Sequence, residues 1–151
     1  MTIILDANLL LLLVVGSTDR SFIAKHKRLR SYTDEDFDLL LLLLSRVNGI
    51  IVTPNTLTET SNLVGYISDP ARTAIYHMFR AIVQAPASVE FSVESKLAVS
   101  GAEFVRLGLT DSVLLHLATG SHTLLTADVD LYLAATTRGL KAENFNHFRN
   151  L

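Results

Sequence analysis

The apolar positions of this chain fall into short continuous runs and longer runs with helical spacing, and the two kinds alternate. Thr2–Leu5 is the first short run, rich in β-branched side chains and closed by Asp6, and it reads as a strand. Residues 9–15 then begin a helix or turn, and residues 16–33, polar and basic, read as a loop or short helix. Thr33 starts the next helix. Asp34, Glu35 and Asp36 crowd its first turn, where the helix dipole favours anions, and Asp36 stands at capping-box spacing from Thr33. The body that follows, FDLLLLLLSRV, is apolar nearly all round, as expected of a helix sandwiched in a core or shared with a second copy of the chain.

Gly49–Val52 is a second apolar run. Thr53-Pro54 after it marks a helix start, with Thr as cap and Pro where a missing N–H costs nothing. Asp69-Pro70 predicts a third helix by the same grammar, with Ile75, Phe79 and Ile82 on one face. A fourth helix is expected over residues 95–106 and a fifth over 111–118, behind a Thr110 cap. Residues 123–126 read as a strand, 130–138 as a helix stopped by Gly139, and 143–145 as a short edge strand. Short apolar strands alternating with helices predict an α/β fold: a three-layer α/β/α sandwich around a short, mostly parallel sheet. No linker or repeat divides the sequence, so one domain over residues 1–151 is expected. A chain this long can bury roughly 70% of the surface it exposes when unfolded.

Composition narrows the function classes. Apolar residues at 49% and charged residues at 19% argue against disorder, and the absence of cysteine excludes a disulfide framework or a thiolate zinc site. The apolar N-terminus has no basic leader and is interrupted by Asp6 and Asn8, while the run at 39–44 falls far short of the ~20 residues that span a bilayer. A cytoplasmic protein without membrane attachment is expected. The net charge of −2 gives no general affinity for nucleic acid. Yet Arg20, Lys25, Lys27, Arg28 and Arg30 put five of the 13 basic residues into eleven positions, with His26 among them. Such a segment can hold phosphates, as an RNA-contacting element, or simply be a solvated loop.

In parallel α/β sheets sites form at the carboxyl ends of strands, which singles out Asp6, the segment from Thr53 to Glu59, and Asp128. Asp6 lies at the edge of an apolar region, where an ionised carboxylate is costly without a positive partner. Each acid also has a plain structural reading: Asp6 as a turn or cap, Glu59 as a solvent-facing helical residue, Asp111 as a first-turn dipole residue, Asp128 as a helix cap. No basic residue is near any of them in sequence. Clustered, they would repel one another, and a divalent cation would remove the conflict. Oxygen donors without Cys or paired His select Mg2+ or Mn2+, and such sites suit phosphoryl transfer.

The order ILDANLLL, TPNTLTETSNLV, GLTDSVLLHLA and LLTADVDLYLAA resembles the PIN-domain nuclease family across essentially the whole chain. That pattern places an Asp and a nearby Asn after the first strand, a Glu on the helix after the second, an Asp opening a later helix, and a Thr-x-Asp after the next strand. Asp6 with Asn8, Glu59, Asp111, and Thr126 with Asp128 match those positions. The resemblance implies Mg2+-dependent endoribonuclease cleavage of single-stranded RNA, by in-line attack of metal-activated water, leaving a 5′-phosphate and a 3′-hydroxyl. Asp6, Asp111 and Asp128 would bind metal, Glu59 would bind a second ion or position water, and Asn8, Thr126 and Asp130 would orient them. Apart from the resemblance, the basic residues Lys25, Lys27, Arg28 and Arg30 are candidate RNA contacts. Many stand-alone members are VapC-type toxins held inactive by an antitoxin, so an antitoxin partner and a homodimer are also implied. The stretch from Arg20 to Tyr32 makes the gap between the first two acids longer than in compact members, a departure that reads as an RNA-contacting element or a partner-specific insertion.

Other readings compete. A haloacid-dehalogenase-like phosphohydrolase needs a second Asp two residues after the first, where this chain has Asn8, and a Lys that is absent between Lys96 and Lys141. A phospho-receiver domain wants a similar Asp pair and a late Lys. A PIN-like module that binds RNA or protein without cutting would not need all four acids. His77, His116 and His147 have no metal-ligand spacing, and Tyr66, Tyr76 and Tyr132 read as helical core packing rather than base-stacking platforms.

Overall fold

Alternate side chains of the two central apolar strands face opposite layers. In strand β1 (Thr2–Leu5), Ile3 and Leu5 enter one apolar cluster and Ile4 the other. Strand β2 (Gly49–Val52) repeats this in register, Ile50 and Val52 on the first side and Ile51 on the second. The computed structural model describes residues 1–149. It has five strands in one sheet, adding β3 (Ser88–Glu90), β4 (His122–Thr126) and β5 (Ala142–Asn144) in the order β3-β2-β1-β4-β5, every pair parallel. The three-layer α/β/α expectation holds, with the sheet parallel throughout.

Helices α1 (Ala7–Thr18), α2 (Ser21–Lys25), α3 (Asp34–Ser45), α4 (Pro54–Val64) and α5 (Ala71–Gln84) pack on the first face. On the other face lie α8 (Leu109–Leu117) and α9 (Val129–Thr137), through Leu114, Leu115, Leu131 and Ala135. Between β3 and α8 stand two single-turn helices, α6 (Ser95–Ala98) and α7 (Phe104–Leu107). α1 is the central helix: from Leu9 to Gly16 every residue is buried, a pattern possible only for a helix enclosed on all sides.

Several expected details differ. Residues 95–106 do not form one helix; the chain turns at Val99 to Gly101, and glycine there disfavours continuation. Thr110 is not a cap. α8 begins at Leu109 after Gly108, whose φ of +88° makes the sharp entry that a side chain would strain. Pro70 sits before α5 rather than in its first turn, and the Asp69 carboxylate caps from outside by accepting the Thr73 N–H at 2.9 Å. Strand β3 was not anticipated. The apolar helix α3 is only partly enclosed: Phe37 and Leu40 are buried, while Leu41 and Leu42 face solvent.

The order in which strands are added reverses at the centre of the sheet. From β1 the strands step outward through β2 to β3, then the chain crosses back to β4, on the other side of β1. The carboxyl ends of β1 and β4 therefore flank a topological switch point, the place where open α/β sheets leave a crevice. Among the described residues no helix is long and apolar enough to cross a membrane.

Candidate active site

Asp6 leaves the end of β1 with its backbone N–H bonded to Leu125 O of β4 at 3.3 Å. Its carboxylate is buried, and both oxygens accept hydrogen bonds. Oδ1 accepts the Leu9 N–H at 2.9 Å, capping α1, and Oδ2 accepts the Thr126 hydroxyl and the Ala127 N–H at 3.2 Å. Burial raises the Asp6 pKa above the ordinary range; the hydrogen bonds from Thr126, Leu9 and Ala127 oppose this, and the charge of Asp128 adds to it. Thr126 Oγ1 also accepts the Asp128 N–H at 3.0 Å, so one buried hydroxyl spaces two acids. Asp128 in turn caps α9, Oδ1 accepting the Leu131 N–H at 3.1 Å. The capping role that the sequence offers for Asp6 and Asp128 is thus real at both, and it fixes each at a strand end.

Asp111 comes from the second helical layer. It lies three and four residues before Leu114 and Leu115, which pack on the sheet, so it shares their face of α8 and is half-buried. Its pKa is pushed up to about 7 by burial first, then by the charges of Asp128, Asp6 and Glu59. Glu59 stands on α4 and is exposed. With Asn55, Thr58 and Asn62 it forms one strip of that helix, and this strip shares a recess of about 440 Å³ with Thr110 of α8. Asp111 is therefore within electrostatic reach of Asp6, Glu59 and Asp128, which come from three other stretches of chain.

No ion pair among the described residues involves any of the four. Neither Asp111 nor Glu59 carries a side-chain hydrogen bond among the described residues. Ser112 Oγ, buried next to Asp111 in sequence, also has no hydrogen-bond partner among the described residues. As the side chains stand, no three of the described acids or histidines are placed to hold one metal ion together. The donor chemistry nevertheless fits a hard divalent cation: the acids are all oxygen donors, and none is paired with a basic side chain among the described residues. Glu59 and Asp128 are exposed enough to turn toward such an ion.

Asn8 and Asp130 are both exposed, on the first turns of α1 and α9, and neither makes a side-chain hydrogen bond to the acids among the described residues. Thr126 alone of the three expected orienting residues touches them. Lys25, Lys27, Arg28 and Arg30 are exposed at the far end of α4 rather than beside the acids. His26 is not part of that charged surface. It is fully buried, donates from Nε2 to Leu63 O at 3.0 Å and accepts the Arg28 N–H on Nδ1 at 3.1 Å, an arrangement that requires the neutral ring. Burial accordingly lowers its pKa. His116 bonds back to Ser112 O, His77 to Arg80, and His147 lies edge-on to Tyr132, so these histidines serve local structure. Tyr66 and Tyr76 are exposed rather than packed in the core.

Sequence reasoning missed Ser112, which follows the acid on a helix and carries no signal of burial. It also missed Asn55 and Asn62, whose spacing from Glu59 places them on its strip once the helix is known. No protein-family model matches the chain, and no curated protein does.

Proposed function

We propose that the protein is a metal-dependent ribonuclease that hydrolyses single-stranded RNA at the Asp6, Glu59, Asp111 and Asp128 cluster. One observation carries this reading: Asp111 of α8 lies within electrostatic reach of Asp6 and Asp128, at the ends of β1 and β4, and of Glu59 on α4, and none of the four is in an ion pair among the described residues. The order of those acids along the chain, which resembles the PIN-domain nucleases, supports it.

A bound Mg2+ or Mn2+ would supply Lewis acidity and a water of lowered pKa at this edge. Asp6, Asp111 and Asp128 are the residues to hold it. The chain's own contribution is placement. Leu9, Thr126 and Ala127 fix Asp6 in one rotamer, and Thr126 ties it to the start of α9. Glu59, projecting from an exposed helical strip, is free to orient an attacking water. On the same reading the partners are an RNA substrate, an inhibitory antitoxin and a second copy of the chain meeting the exposed Leu41–Leu42 face of α3.

The test is cleavage of labelled single-stranded RNA in Mg2+, with EDTA, Asp6→Asn and Thr126→Val as comparisons. Wild type should cut, leaving 5′-phosphates. EDTA should stop it, Asp6→Asn should slow it at least about a hundredfold, and Thr126→Val, which keeps every acid, should slow it about 10–100-fold. Equal cleavage by wild type and Asp6→Asn, or no cleavage in any divalent metal, would refute the reading.

A further inference from the structure

At the end of α4 remote from the acids, the structure has a second recess that the proposed chemistry does not use. Lys25, Lys27 and Arg30 from the α2 segment face Tyr66 of the α4–α5 turn and Arg72 of α5 across a groove of about 870 Å³. One carboxylate, Asp69, also lines it, but its oxygens already accept from Arg72 at 3.0 Å and from the Thr73 N–H at 2.9 Å. Lys25, Lys27 and Arg30 make no ion pair among the described residues. With Arg28, whose guanidinium lies 5.6 Å from the Tyr66 ring centroid, five of the 13 cations of a net-negative chain gather here. Arg72 is paired with Asp69, but the other four have no ion-pair partner among the described residues. Holding like charges together in this way raises the local potential, which a polyanion relieves.

The segment is anchored rather than loose. Ile23, His26 and Leu29 are buried between the cations, and His26 bonds to the last turn of α4. That anchoring holds the basic side chains outward at fixed positions. Two features then discriminate among polyanions. Tyr66, 48% exposed, offers a flat ring on which a base can stack, a use that an acidic peptide does not have for it. And α4 leads from one site to the other: it starts at Pro54 by the acids and ends beside Tyr66, a span of roughly 16 Å at 1.5 Å per residue. Asn55, Thr58 and Asn62 provide a polar track along the way.

We propose that this groove is an exosite for single-stranded RNA, with phosphates on Lys25, Lys27 and Arg30, a base against Tyr66, and the strand running along α4 to the acids. The choice of RNA rests on the ribonuclease reading, whereas the polyanion site stands on its own geometry.

Fluorescence anisotropy with labelled oligouridylates, a trimer and a dodecamer, in EDTA separates the two. The dodecamer should bind at least about tenfold more tightly than the trimer, because stacking alone is worth that much per base. Replacing Lys25, Lys27 and Arg30 together by Gln should weaken dodecamer binding and lower the salt slope of log K by about 2, from ~0.7 per phosphate contact. Tyr66→Ala should cost about tenfold. These side chains are exposed, so the variants should fold. Wild-type affinity and slope in the triple variant would overturn the exosite, even if cleavage is intact. Displacement of RNA by polyglutamate, with no effect of Tyr66→Ala, would overturn it in favour of an acidic protein partner. Binding as expected without cleavage would leave the exosite standing and remove the nuclease.

Discussion

Asp111 differs from the other three acids in what holds it. Asp6 and Asp128 are fixed by backbone N–H groups, Glu59 is in solvent, but Asp111 is half-buried with no donor among the described residues and three negative neighbours. Its raised pKa has a defined sign for stability. The folded protein holds this proton more tightly than the unfolded chain, where the group titrates near 3.8. Stability from Asp111 is therefore complete below that value and is lost as pH rises through about 7. In EDTA, urea midpoints of the wild type should fall relative to those of Asp111→Asn across that window. Parallel pH profiles would mean that Asp111 is not crowded by the other acids. At this scale Asp6, Thr126 and Asp128 were legible, because a polar residue closing an apolar strand has few places to go. The burial of His26 was not: within a basic run it looks like one more surface cation, and only its contacts with Leu63 O and the Arg28 N–H show otherwise.

Strand ends and helix starts position the acids, and α1 is the helix around which α2, α3, α4 and α5 pack. Its Gly16 lies against the Phe37 ring of α3 so closely that an added Cβ would overlap three ring atoms. Gly16→Ala should destabilise the protein by about 1–3 kcal/mol through overpacking, despite the better helix propensity of Ala, as read from the urea midpoint. A neutral or stabilising result would mean that α3 moves aside freely. The Thr33–Asp36 capping box and the Thr53-Pro54 start were legible, since capping is local chemistry. Strand β3 was hidden because Ser-Val-Glu at a sheet edge shows neither alternation nor a buried face. The break between α6 and α7 was hidden because apolar spacing continues across it.

For the whole molecule, alternation of strands and helices was enough to anticipate three layers and a parallel sheet, but not the strand order that puts β4 beside β1. That order depends on contacts between residues far apart in sequence, as does the closure of the chain. Arg149 bonds to both oxygens of Asp36 at 3.1 and 2.9 Å and lies over Tyr32, tying the last described residue to the start of α3. Both side chains of the pair are less than a tenth exposed. Burial works against the Asp36 charge, yet the bonds from Arg149 and Thr33 hold its pKa below the ordinary range. Arg149→Met should therefore cost about 3–5 kcal/mol in chemical denaturation, by leaving that carboxylate buried and unpaired. A loss below about 1 kcal/mol would show that solvent reaches it readily.

The claim on which the functional reading depends is that the four acids act as one cation site. Mn2+ titration followed by the electron paramagnetic resonance of free Mn2+ tests it directly, without substrate or assumed activity. The wild type should take up Mn2+ saturably, and Asp6→Asn and Asp111→Asn should each weaken that uptake by at least about tenfold. Uptake that is unsaturable in the wild type, or equal in all three proteins, would contradict the account.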